Sequence, residues 1–471
     1  MGTFVLMELC KQSGVKNVIY QLLAPNITIN LDEVEENRSY AVVIDKGIRY
    51  CLTGNPGIYD EEAPYVLLTD RTPTKQKLID NEIKQRKWIK HPNQIEASPD
   101  DVINSWENRF HFKLEENEEN PGLRRPQLGA LHALLSHMLA PTETATVVLP
   151  TGTGKTETMM SALVAGRCNR VLVTVPTNAL RGQLFNKFKT LGILKKAKFE
   201  IVDKEALYPI VGVITSAFEG EDQLKSFIRQ CNVVITTMQI IDSAPEEQQN
   251  VYVSSFSNVF VDEAHHIVAT SWRKFSDRFP RHQLVQFTAT PFRNDGQRLD
   301  GKIIFNYPLR QAQKDGYYRT IHFLPVREYG EEAIADKVIA KKAVEKLKND
   351  QKHYQHIMMA RCATKSRAQA VYKIYKEICP ELRIVLLYSG CLDYTEKYNK
   401  ILKRDVDIVV CVNMLGEGFD LPELKIAAFH DIRKSLPITL QFAGRFTRTS
   451  RDAELGDASF VANIADLTVK Q

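Results

Sequence analysis

Thr146-Val-Val-Leu-Pro-Thr-Gly-Thr-Gly-Lys-Thr156 joins an apolar run to a loop of small residues. Its first four residues form an uncharged, β-branched-rich run, which predicts a strand buried on both faces of a parallel sheet. The run passes straight into Pro150-Thr-Gly-Thr-Gly-Lys-Thr156 and then a helical pattern. Small residues there let backbone N–H groups curl round an anion, and the following helix aims its positive end at the same point. Against G-x-x-x-x-G-K-[ST], Gly154-Lys155-Thr156 matches the end, while Thr151, Gly152 and Thr153 supply the loop where the general form has its first Gly further upstream. In such an arrangement Lys155 would neutralise β/γ-phosphates and Thr156 would ligate Mg²⁺.

Working outward, apolar runs recur with a turn and a helical stretch after each: Val171–Val175, Val233–Thr236, Val259–Val261 and Val285–Thr288. The pattern restarts at His356–Ala360, Ile384–Leu387, Ile408–Val412, Ile426–Phe429 and Phe460–Ile464. Buried runs alternating with helices predict two successive α/β domains with parallel sheets. The expected division is 1–120 as a small N-terminal α+β accessory domain with its connector, 121–315 as the first α/β domain and 316–471 as the second, joined through Tyr307–Arg327. Within the accessory part, Tyr40–Ile44, Ile48–Leu52 and Pro64–Leu68 read as strands. Lys75–Lys90 reads as a basic helix whose charged face is solvated, with a nucleic-acid patch as the sharper alternative. Glu82-Ile-Lys84 falls in that helical pattern, which argues against reading it as the end of a nuclease motif.

The chain has 471 residues, 44% of them hydrophobic and 25% charged, which excludes a disordered or fibrous chain. Eight scattered cysteines include no Cys-x-x-Cys pair, so neither a zinc site nor a disulfide framework is expected. No apolar run approaches the length of a membrane span, and no leader pattern is visible at Met1, so a cytoplasmic location is expected. The net charge of +5 divides unevenly. Residues 1–120 hold 14 basic and 20 acidic side chains, a balance of −6, against 48 basic and 37 acidic in the remainder, a balance of +11. The basic balance of the larger part suits phosphate-rich ligands, and the acidic part suits docking of a protein effector.

A second acid-bearing turn follows the Val259–Val261 run: Asp262-Glu-Ala-His265. Open α/β sheets place ligands at the C-terminal ends of their strands. Asp262 is therefore placed to hold Mg²⁺ through its water shell, and Glu263 to polarise an attacking water as general base.

Together these residues resemble the Walker A and DEAH-type Walker B motifs of superfamily-two helicases and translocases. The remaining family motifs follow in order. Gln127, after Arg124-Arg125-Pro126, resembles the adenine-reading Q motif. Pro176–Arg181 resembles motif Ia, Thr236–Gln239 motif Ib, Thr288-Ala-Thr290 motif III and Met359–Arg361 motif IV. Gly416-Glu-Gly-Phe-Asp420 resembles motif V, and Gln441-Phe-Ala-Gly-Arg-Phe-Thr-Arg448 resembles motif VI. The resemblance implies two tandem RecA-like domains closing on ATP and Mg²⁺. It brings Gly418 and Asp420 to the nucleotide, and Gln441, Arg445 and Arg448 to the reacting phosphate as arginine fingers with their neighbour. Thr288 and Thr290 would couple hydrolysis to a strand lying across both domains.

Thr177, Arg181, Thr236, Thr237 and Arg361 are the strand contacts the resemblance implies, with plain structural roles as the alternative for each. Phe110 and Phe112 are expected to pack in the core rather than stack on adenine. Two departures stand out: Val412-Asn413 replaces the Thr-Asp common at the head of motif V, and Gln441 stands where DEAD-box relatives often carry His. The wording of Thr288–Asp295 and motif V is nearer the type III restriction-subunit branch, which tilts the expected partner towards DNA over RNA. The overall motif wording also resembles the helicase component of Hachiman-type antiphage systems. An RNA-remodelling ATPase and an ATP-gated sensor signalling to an effector are the alternatives.

Overall fold

The computed structural model describes residues 2–140, 143–266, 277–289, 299–318, 320–412, 421–431, 446 and 455–465. A nine-stranded sheet forms its centre, in the order Lys302–Asn306, Ala145–Val148, Leu284–Thr288, Asn258–Val261, Val171–Val175, Val233–Thr237, Ile210–Val213, Val18–Ala24 and Leu9–Ser13. The first seven strands are mutually parallel, and the last two are antiparallel additions. Alternate residues of the apolar runs feed separate cores on the two faces: Val171, Val173 and Val175 with Phe260 on one side, Leu172 with Val259 and Val261 on the other. This period of two with both faces buried is why these strands read as continuous hydrophobic runs.

A second sheet of six parallel strands runs Ile321–Val326, Ala458–Asn463, Leu424–Phe429, Ile357–Cys362, Ile408–Val412 and Ile384–Leu387. The helices Glu332–Asp350 and Lys365–Ile378 pack on one face of it through Ala340, Ala343, Leu347 and Val371. A five-stranded sheet (Glu33–Glu36, Tyr40–Asp45, Ile48–Thr53, Tyr65–Thr69, Gln85–Lys90) makes up most of the N-terminal part. The protein is thus α/β, with two parallel-sheet domains and a smaller N-terminal unit. No helix among the described residues is long and apolar enough to cross a membrane.

Three features differ from the sequence reading. The expected basic helix over 75–90 stops at Ile79, and Gln85–Lys90 is a strand paired antiparallel with Tyr65–Thr69. Asn81 takes a left-handed φ of +54°, which breaks the helix, and Trp88 turns inward onto Leu67. Ile79 and Ile83 stand one helical turn apart, but Trp88 falls off that face, and the distant partner strand decides the conformation of 85–90.

The division at residue 120 also departs from the packing. The Leu9–Ser13 and Val18–Ala24 hairpin extends the central sheet by pairing Val18–Gln21 with Ile210–Val213. Further on, Val102 and Trp106 sit in the core of the first α/β domain, where the Trp106 indole N–H donates to the Leu207 carbonyl at 2.9 Å. The acidic 1–120 segment is therefore stitched into the first α/β domain at both ends.

Finally, Ile210–Val213 was not expected as a strand. Gly212 interrupts its apolar run because a Cβ there would meet Cys231 Sγ at 2.7 Å and the Phe227 ring at 2.8 Å. Close strand–helix packing requires glycine at that point.

Candidate functional site

The loop after Ala145–Val148 is built by conformation first. Gly152 (φ +89°) and Gly154 (φ +101°) adopt the left-handed backbone that glycine tolerates. A Cβ on Gly154 would fall 1.8 Å from Gln127 Nε2. The turn is locked by Thr153, whose hydroxyl donates to the Pro150 carbonyl at 2.7 Å. Lys155 and Thr156 then open the eleven-residue helix Lys155–Ala165, so the helix N-terminus faces the loop's concavity.

Two further elements brace this loop. Gln127 lies in the first turn of Arg125–Leu139, where its Oε1 accepts from the Arg124 backbone N–H at 2.7 Å. Arg124 Nη1 donates to the Gly152 carbonyl at 3.0 Å, and its guanidinium lies 5.2 Å from the Tyr317 ring centre. The Tyr318 hydroxyl donates to the Thr151 carbonyl. Sequence reasoning found Gln127 but missed Arg124, Tyr317 and Tyr318 as loop supports. Proximity to Gln127 was a signal for Arg124; the tyrosines are more than 160 residues away in sequence from the loop they brace.

At the end of Asn258–Val261, the Asp262 backbone N–H is held by the Thr174 carbonyl at 2.9 Å, and its carboxylate accepts from the Glu263 N–H at 3.0 Å. Glu263 has a left-handed φ of +49°, a conformation that costs a non-glycine residue about 1–2 kcal/mol. Lys155 Nζ donates to Glu263 Oε1 at 2.6 Å, with both side chains less than 10% exposed. His265 continues the chain of contacts. Its Nδ1 is 3.6 Å from Glu263 Oε2 and 3.2 Å from the Thr288 hydroxyl, and it is buried with both. Leu149, entering the loop, donates its N–H to the Thr288 carbonyl at 2.9 Å. The acid-bearing turn, the Thr288 strand and the glycine loop therefore form one bonded unit.

The chemistry of this donor set fits a nucleotide with a hard cation. No cluster of three or more metal-ligating side chains exists among the described residues. Mg²⁺, however, is commonly held by one or two carboxylates, with phosphate and water oxygens completing its shell. Asp262 and the Thr156 hydroxyl meet that requirement. Thr290, Gly418, Asp420, Gln441, Arg445 and Arg448 lie outside the described residues.

The expected strand contacts divide. Thr177 is exposed and caps the helix Asn178–Phe188, its hydroxyl accepting from the Leu180 N–H at 3.3 Å. Arg181 donates to the Ile214 carbonyl at 3.2 Å, and burial lowers its pKa. Thr236 is fully buried and donates to the same carbonyl at 3.2 Å. Thr237 is also buried, at the start of Met238–Asp242. Arg361 is buried and ion-paired with Asp431. Thr236 and Arg361 are already bonded inside the protein, to the Ile214 carbonyl and the Asp431 carboxylate, so a strand contact by either would exchange those bonds. Of the two aromatics, Phe110 packs against the first core, while Phe112 is 47% exposed and stacks on His132 at 5.3 Å.

Fold and site together define a parallel-sheet α/β protein with a glycine loop and an acid-bearing turn suited to a nucleotide. More particularly, residues 120–293 match the family described as Type III restriction enzyme, res subunit. Among solved structures, the fragment of a putative HsdR subunit of a type I restriction enzyme from Vibrio vulnificus YJ016 aligns over 99% of this chain and 88% of its own, at a TM-score of 0.56 and 14% identity. That is a likeness of fold. The ATP-dependent Type ISP restriction-modification enzyme LlaBIII bound to DNA aligns over 74% of this chain at 17% identity and a TM-score of 0.49. This chain spans 28% of that enzyme's length. S. cerevisiae Dbp5 bound to RNA and ADP BeF3 aligns over 74% of this chain and 88% of its own, at 15% identity and a TM-score of 0.47. No curated protein matches the chain in sequence.

Proposed function

We propose that this protein is an ATP-dependent translocase or helicase acting on nucleic acid, with DNA as the substrate. The observation that carries the reading is the buried Lys155–Glu263 pair, set between a glycine loop and Asp262 at strand ends. Lys155 binds the β/γ-phosphates, Thr156 and Asp262 hold Mg²⁺, and Glu263 takes the proton of the attacking water. The cation supplies charge neutralisation at the phosphates. Gln127 and Arg124 fix the loop on the base side. Gly418 and Asp420, with Gln441, Arg445 and Arg448, complete the site from the second domain.

The match to the restriction-subunit family supports DNA over RNA and a role in antiphage defence. The acidic N-terminal part suits a protein effector. The deciding measurement is ATPase rate across single-stranded DNA, duplex DNA, tailed forks and single-stranded RNA, followed by strand displacement. Stronger stimulation by RNA would overturn the DNA assignment, and hydrolysis without displacement or movement would favour the sensor.

A further inference from the structure

The N-terminal hairpin meets the motor at the edge where the proposed strand contacts lie. Asn17 Oδ1 accepts from the backbone N–H groups of Thr215 at 2.8 Å and Ser216 at 3.1 Å. Its Nδ2 donates to the Ser216 carbonyl at 3.1 Å, and the Thr215 hydroxyl donates to the Lys16 carbonyl at 2.8 Å. One side chain thus holds both the donors and the acceptor of a two-residue turn. The residue just before that turn is Ile214, whose carbonyl receives both Arg181 Nη1 and the Thr236 hydroxyl, each at 3.2 Å.

Arg181 belongs to the helix capped by exposed Thr177, and Thr236 to the strand ending at Thr237. The carbonyl of residue 214 therefore joins two elements of the expected nucleic-acid edge, and Asn17 fixes the turn that carries it. A second contact acts on the same helix. Tyr20 packs edge-on against Phe185 at 5.6 Å, Lys189 Nζ lies 4.9 Å from the Tyr20 ring centre, and the Tyr20 hydroxyl donates to Glu8 Oε1 at 2.7 Å. The strand pairing Val18–Val213 through Gln21–Ile210 sets the register of both contacts.

We propose that Asn17 is a positioning residue for the nucleic-acid-binding edge, which makes the N-terminal hairpin part of the motor's grip on its strand. The inference rests on the nucleic-acid reading above. Asn17 reaches none of the ATP-site residues, so its effect falls on nucleic-acid affinity rather than on hydrolysis itself.

The test compares the full chain with Asn17→Ala and Asn17→Asp, titrating ATPase with single-stranded DNA. Asn17→Ala is expected to raise the KM for DNA by about fivefold or more, the lower range of inter-site coupling, with the DNA-free rate and the KM for ATP unchanged. Asn17→Asp keeps an acceptor for the two backbone N–H groups and loses the donated bond, so its KM for DNA should fall between the two. A wild-type KM for DNA in Asn17→Ala overturns the proposal. So does a DNA-free rate that falls in step with the DNA response, because that marks a general loss of structure. If the wild-type chain responds to neither DNA nor RNA, the nucleic-acid reading itself fails, a result visible before any variant is made.

Discussion

Lys155 Nζ and Glu263 Oε1 are 2.6 Å apart, so the residue expected to bind phosphate and the residue expected to activate water neutralise each other in this state. On the proposed reading, a bound β/γ-phosphate competes with Glu263 for the three N–H donors of the Lys155 ammonium, which loosens the pair and opens the Glu263 carboxylate to water. Glu263→Gln keeps a hydrogen-bond acceptor for Lys155 and removes the base. It should bind a fluorescent ATP analogue within about threefold of wild type while turnover falls by about a hundredfold or more, in the range of general-base loss. Near-normal hydrolysis in that variant would show that another group takes the proton.

Gly154 tests whether the loop's backbone shape, rather than its charge, makes the site. An alanine at φ +101° carries strain of about 1–3 kcal/mol, and its Cβ drives Gln127 away from the Arg124 N–H. Nucleotide Kd in Gly154→Ala should rise by about tenfold or more, read by equilibrium binding. Gly182→Ala is the matched control. Its Cβ meets nothing within 4 Å, and the helical position should gain about 0.5–1 kcal/mol from alanine. Equal binding by both variants would separate the loop geometry from nucleotide affinity.

Tyr318 lies between the last strand of the first domain and the first strand of the second, yet its hydroxyl bonds the glycine loop at the Thr151 carbonyl. Removing one such hydrogen bond costs about 1 kcal/mol. Tyr318→Phe keeps the buried ring and should raise the KM for ATP by about fivefold, with thermal stability within about 2 °C of wild type. An unchanged KM would mean the bond is incidental to nucleotide binding.

The glycine loop, the acid-bearing turn and most of the parallel strands were legible in the sequence because each depends on local pattern. Val171–Val175 and Ile408–Val412 are strands as expected, since an apolar run buried on both faces has few other ways to fold. What escaped is long-range. Val18–Ala24 joins the central sheet only through a partner nearly 200 residues away, and Gln85–Lys90 becomes a strand only because Tyr65–Thr69 lies beside it. The same limit hid part of the site. The Tyr318–Thr151 bond and the His265–Thr288 contact leave no mark on spacing. Motif position placed Arg361 near a ligand path, and only the coordinates show that Asp431 faces it.

Glu157 and Lys187 provide a pH-dependent check on how the nucleotide helix is anchored. Their 2.8 Å ion pair ties Lys155–Ala165 to Asn178–Phe188. Burial alone pushes the Glu157 carboxyl up, but the adjacent Lys187 ammonium outweighs it, and the net pKa lies below the ordinary glutamate value. A carboxyl depressed in the folded state contributes stability that is complete above its unfolded pKa and disappears as pH falls through the folded one. The contribution is therefore full at neutral pH and lost only on acidification below the ordinary glutamate range. Lys187→Met removes the counter-charge, so the Glu157 pKa should rise and the variant's Tm deficit should be largest near pH 7. The deficit should then shrink as pH approaches 4, because protonated Glu157 no longer needs a partner. Paired thermal melts across that range make the measurement. A deficit independent of pH would assign the stabilisation to packing of the Lys187 stem instead of its charge.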